Sequence, residues 1–308
     1  MNTSSDTVPE SAGAGAPSYN VATRPLYWSV RRELWENRSI YIVPLIVAGV
    51  ELFGFLVSTV GLPERRRAAL LLDPAKARTL IEAPYNIAAI MLILTAFVVG
   101  LFYCLDALYG ERRERSILFW KSLPVSDRVT VLSKTSVPLI VLPVVTFAVI
   151  IATQILMLLW TSVLLISHGM SPSSTWTYIP LLQQFLVLLY GLAAIALWHA
   201  PIYGWALLVS GWARRATFLW AVLPLLAISI FEKITFNTSH FAALVKDRLL
   251  GFASNAFAFS LHRGVAIDSL VQLTPGRYLS TPGLWIGLLF AAVFVVAAIR
   301  LRRYRGAL

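Results

Sequence analysis

The chain has 308 residues, of which 58% are hydrophobic and only 13% charged, about half the charged share of an ordinary soluble domain. Its formal net charge is +11 and it holds one cysteine, Cys104, which excludes an internal disulfide framework. Apolar runs of roughly 20 residues recur without strand-like alternation, which excludes a soluble globular fold and a membrane β-barrel and predicts an all-α polytopic membrane protein.

Residues 1–23 are rich in Ser, Gly, Ala and Pro, lack an apolar core, and read as a disordered tail without a secretory signal. Residues 24–38, RPLYWSVRRELWENR, place Leu26, Val30 and Leu34 at i, i+4 and i+8, with Tyr27, Trp28 and Trp35 as amphipathic rings. That pattern predicts a helix lying in the membrane interface; the alternative is a cytosolic extension of the first span.

Six spans are predicted, at 39–61, 86–109, 136–166, 179–211, 215–232 and 282–301, with a basic tail over 302–308. Pro44, Pro138, Pro143, Pro201 and Pro224 interrupt them, which membrane helices tolerate because neighbours re-satisfy the freed carbonyls. An even number of spans puts both termini on one side, and Lys and Arg in short loops say which. Arg24, Arg31, Arg32, Arg38, the basic residues of 110–135, Arg214, Arg215 and the C-terminal arginines then fall in the cytoplasm. The third-to-fourth loop, SHGMSPSSTWTY, has no Lys or Arg, as an outside loop should. Residues 62–85 disagree: Arg65, Arg66, Arg67, Lys76 and Arg78 would lie outside. The excess positive charge of such a chain belongs to topology and to anionic headgroups rather than to nucleic acid.

Glu51 stands about twelve residues into the first span, where an ionisable side chain costs on the order of 3 kcal/mol. It must face a partner helix, a wet cavity or a substrate, and is the candidate for a transport path. Gln154, Gln183 and Gln184 invite the same question, with hydrogen-bonded helix contacts as the leading answer. His199, in LWHAP, reads as a hydrogen-bonded packing residue, and the four histidines show no metal-ligand spacing. The last connection holds LLGFASNAFAFSL, 249–261, too short to span and suited to a re-entrant segment or a plain loop helix. Lys246, Asp247, Arg248, His262 and Arg263 would hold its ends near water.

No phosphate-loop, zinc-hydrolase or serine-hydrolase signature occurs, so the chain carries no recognisable means of hydrolysing ATP and binds no evident cofactor. The chemistry lies instead in 105–134, LDALYGERRERSILFWKSLPVSDRVTVLSK. Here Ser116 to Trp120 can continue a helix, Pro124 forces a turn, and Ser126 or Asp127 can cap the next helix. Ile117, Leu118 and Trp120 would form an apolar face that a solvated elbow does not need.

In its order of features this stretch resembles the second-to-third-span loop of type-2 ABC exporter permeases. A span ends at Tyr109, Glu111 follows, then a short apolar helix, Leu123-Pro124-Val125-Ser126, Arg128 and Lys134. The resemblance covers most of 24–305, although Arg115-Ser116 stand where the family often has Gly-Thr. It implies a coupling elbow, docked on a separate ABC ATP-binding subunit that holds ATP and Mg. The elbow residues would be Glu111, as its anchor, with Arg112, Arg113, Glu114, Arg115, Ile117, Leu118, Phe119, Trp120, Lys121 and Pro124. It further implies a second permease copy, contact with membrane lipids, and a bacterial inner-membrane location with both termini cytoplasmic. The alternatives are a non-transporting scaffold or sensor subunit and an integral membrane lipid-modifying enzyme, for which no D-D-x-x-D-like acid cluster is present.

Overall fold

A computed structural model describes residues 25–116, 125–258 and 270–304. Every regular element among them is helical, and the one β-bridge joins Phe257 to Leu273. Six helical stretches are long and apolar enough to cross a membrane: Ser39–Ser58, Pro74–Arg113, Asp127–Ser167, Thr175–Trp212, Thr217–Phe236 and Pro282–Tyr304. The protein is therefore a multi-pass, all-α membrane protein, and each crossing falls where the apolar runs place it.

The first helix, α1 (Pro25–Glu36), precedes the first span, α2 (Ser39–Ser58). Leu34 of its apolar stripe packs on the bundle, but its aromatic side does not. Ser29 and Glu33 are its buried residues, while Leu26, Tyr27, Trp28 and Trp35 are exposed and the Arg31 guanidinium lies over both indole rings. A polar stripe turned to the protein and an aromatic side turned away suit a helix at a lipid boundary.

The connection 62–85 is almost wholly helical: α3 spans Leu62–Leu70, and α4, Pro74–Ala107, starts 12 residues before the predicted span. Pro74 at its first turn is pre-set for helix, and Arg78 pairs with Glu82 one turn on at 2.7 Å. Most of the loop's anomalous cations are spoken for. Arg65 donates to the carbonyls of Ser58 and Val60 beyond the end of α2, where the helix dipole favours a cation. Arg66 is buried and donates to Thr175 Oγ1 at 3.0 Å, and burial drives its guanidinium below its ordinary pKa.

After the short helix α5 (Tyr109–Arg113), the third span opens with α6 (Asp127–Ser136), capped by Ser126 Oγ accepting from the Val129 amide. A π-helical turn, Val137–Val141, which contains Pro138, then leads into α7 (Leu142–Ser167), with Pro143 in its first turn. Next come α8 (Ser173–Tyr178), the long α9 (Leu181–Trp212) and α10 (Thr217–Phe236). Helix α9 is the hub of the bundle, buried along Gly191–Gly211, whereas α10 buries only Ala221.

The segment between the last two crossings folds back against the middle of α9. In it α11 (His240–Leu250) and α12 (Phe252–Ala256) precede α13 (Pro275–Ser280), and α14 (Pro282–Tyr304) is the final span. Trp198 Nε1 donates to Asp247 O and His199 Nε2 lies 3.1 Å from Leu249 O, so side chains midway along α9 cap the end of α11. Tyr190 and Tyr278 hydroxyls tie α12 and α13 to the same stretch. Residues 249–258 of the expected re-entrant stretch thus pack on α9, and its residues 259–261, with His262 and Arg263, lie outside the described residues. One expectation fails: Arg248 does not hold an end near water. Its guanidinium stacks on Trp198 and donates to Gly283 O at 2.7 Å, against Gly287, where a Cβ would approach Nη1 to 2.6 Å.

Candidate functional site: a buried ionic knot at the base of the elbow

Where α4 ends, the chain breaks at Leu108, and the freed amides of Leu108 and Tyr109 donate to Ser210 Oγ of α9 at 2.8 and 2.9 Å. Gly110 allows the close turn, since a Cβ there would meet the Asp106 carboxylate at 3.1 Å. This geometry turns Glu111 and Arg112 inward. Arg112, 3% exposed, donates to Ser210 O and Ala213 O at 2.8 and 2.6 Å, satisfying carbonyls at the end of α9.

Glu111, in α5, enters a network that also draws in α1, α4, α6 and α14. One carboxylate oxygen lies 3.1 Å from Lys134 Nζ of α6 and 3.5 Å from Arg32 of α1, and the other 3.1 Å from Arg302 of α14. Lys134 also reaches both oxygens of Glu33 in α1, at 2.9 and 3.1 Å. Tyr103 Oη donates to Glu33 at 2.8 Å, and Arg32 pairs with it at 2.9 Å. Arg302 closes the figure by pairing with Asp127. Three carboxylates, Glu33, Glu111 and Asp127, face three cations, Arg32, Lys134 and Arg302.

Glu33 is fully buried and Lys134 2% exposed. Burial works to raise the Glu33 carboxyl, but the Lys134 ammonium, the hydrogen bond to it, Arg32 and Tyr103 together hold it below the usual carboxylate range. Glu36, at the rim, is pushed the other way, chiefly by burial. A network this balanced is rigid: removing one member leaves an uncompensated charge in a low-dielectric interior.

Beyond the knot the chain faces outward. Arg113 and Glu114 pair with each other at 3.3 Å on the surface, and Arg115 is exposed in a left-handed conformation, φ 57°. Ile117, Leu118, Phe119, Trp120, Lys121 and Pro124, expected to form the tip, lie outside the described residues. Of the eleven expected elbow residues, Glu111 and Arg112 are thus internal anchors, and Arg113, Glu114 and Arg115 are available to a partner. Sequence reasoning did not find Glu33, Tyr103, Ser210 or Arg302. The one local signal was Glu33 itself, a carboxylate between two apolar turns of α1.

Glu51 lies apart from this knot. Both its carboxylate oxygens are shielded, and neither has a hydrogen-bond partner among the described residues. Also among the described residues, no group of three or more His, Cys, Asp or Glu side chains is placed to hold a metal ion. No protein-family model matches the chain, and no curated protein does either.

Proposed function

We propose that this protein is the membrane-spanning permease subunit of an ATP-driven exporter, coupled through residues 110–125 to a separate ATP-binding subunit. The observation that carries the proposal is the ionic knot. It fastens the root of the elbow to α1, α6 and α14, and the hydrogen bonds of Leu108, Tyr109 and Arg112 to Ser210 and Ala213 fasten it to the end of α9, so a force on the elbow moves the packed bundle rather than a free loop. The exposed Arg113, Glu114 and Arg115 extend from that root toward a partner. The chain itself hydrolyses nothing; ATP and Mg belong to the partner, whose closure shifts the bundle between two packings that differ in access. The fifth span, α10, buries only Ala221 and so leaves a whole crossing free for a second permease copy. The elbow end lies in the cytoplasm of a bacterial inner membrane.

Co-purification tests the coupling. Replacing Arg113, Glu114 and Arg115 with Ala and 117–120 with Ser should release a phosphate-loop ATPase. Membrane insertion and thermal stability should stay as in the parent protein, because none of the described residues changed belongs to the knot. An ATPase that stays bound overturns the docking assignment.

A further inference from the structure

A polar layer crosses the bundle between two apolar clusters, and its shielded, unpaired atoms are all acceptors. In α2, Glu51 stands between Ala48 and Phe55 on one helical face; in α7, Gln154 stands between Ile150 and Met157; in α9, Gln184 stands between Leu188 and Leu181. In each helix the first of the flanking residues packs with one cluster and the second with the other, so the three polar side chains share one level. There α4 contributes Ala88 and Ala89, the smallest side chains that keep a helix intact.

Gln154 is 2% exposed, and its amide nitrogen donates to Tyr85 O at 3.3 Å. Its oxygen, the Gln184 oxygen and both Glu51 oxygens are shielded and have no hydrogen-bond partner among the described residues. Unpaired buried acceptors on that scale are costly. One negative charge with two amide carbonyls asks for a group that brings several N–H donors and one positive charge. An alkylammonium, with its three donors and an apolar stem, satisfies both needs, and the clusters above and below suit the stem.

We propose that the Glu51–Gln154–Gln184 layer binds the primary ammonium head of an amphipathic cargo. This deepens the transport reading by naming the cargo's chemistry. Its test uses purified permease without any ATPase, so either idea can fail alone.

The probe is dodecylammonium, compared with 1-dodecanol, titrated into permease held in phosphatidylcholine nanodiscs. Saturable binding of the amine and not the alcohol is expected, weakened about tenfold or more in Glu51→Gln, where a charge-assisted contact is lost, and weakened also in Gln154→Leu. Equal binding of amine and alcohol overturns the proposal, as does undiminished amine binding in Glu51→Gln. Saturation of the layer by sodium ion alone, read as sodium-dependent protection that excludes the amine, overturns it in favour of an inorganic cation. If Glu51→Gln fails to fold, the amine–alcohol comparison in the wild-type protein decides.

Discussion

Lys134 shows how much of this molecule rests on single side chains. It is 2% exposed and reaches both Glu33 and Glu111, as the more exposed Arg32 also does, and it joins the third span to α1 and to the elbow's root. Replacing it with Met leaves two buried carboxylates short of a partner, and loss of about 3–5 kcal/mol is expected, read as a fall in the thermal midpoint of the purified protein. The acid response has a definite sign. The folded-state Glu33 carboxyl titrates below its ordinary value of 4.5, so its stabilisation is present above that pH and is lost as pH falls through the lowered value. Thermal midpoints of the wild type and Glu33→Gln should therefore converge in acid and differ at neutral pH; a constant difference would disprove the pairing. Little of this was legible beforehand. Glu33 and Lys134 stand 101 positions apart, and periodicity within α1 favoured Leu26, Val30 and Leu34 as its organising stripe.

Between helices, small residues allow backbone to approach backbone. In α9, Gly204 faces α14 so closely that a Cβ would lie 3.3 Å from both the Cα and the carbonyl oxygen of Ala291. Lipid is as apolar as a side chain, so crossings associate by such close packing. The obstacle at Gly204 is backbone and cannot swing aside. Gly204→Val should drive α9 and α14 apart and lower the thermal midpoint well beyond Gly49→Val, where a Cβ meets nothing within 4 Å. The crossings themselves were legible because unbroken apolar length is a local property. The helical extension 74–85 was not placed in a span, because its charged residues read as loop, whereas the helix expected to start at a Ser126 or Asp127 cap does run into the third crossing. They are long helices whose ends pass beyond the apolar zone, with Arg78–Glu82 and Ser126 as their local support.

At the scale of the whole molecule, the inside-out distribution of side chains is the governing fact. Large apolar residues such as Phe53, Val57, Ile234 and Leu289 are exposed on the crossings, while the linked carboxylates and cations of the knot are enclosed at one end. That end holds α1, the root of the elbow and the C-terminal turns of α14. The exposed Arg115 there and Ser171 in the third-to-fourth connection therefore make a topology test. With buried Cys104 changed to Ser, a cysteine at 115 should react with an impermeant maleimide only in inverted vesicles, and one at 171 only in intact cells. Labelling of both from the same side would refute the six-crossing arrangement. The site was half legible: the charged interruption after the second crossing announced itself by composition, but its internal anchors depend on helices brought together from across the chain.

The π-helical turn Val137–Val141 has a mechanical meaning. Each residue of an α-helix advances the azimuth by about 100°, so one surplus residue there puts Lys134 out of phase with the membrane stretch that follows. Absorbing that surplus, by returning the turn to ordinary α geometry, would swing the ammonium off Glu33 and Glu111 while the third crossing kept its place. The joint thus fixes the azimuth at which the third crossing presents Lys134 to Glu33 and Glu111.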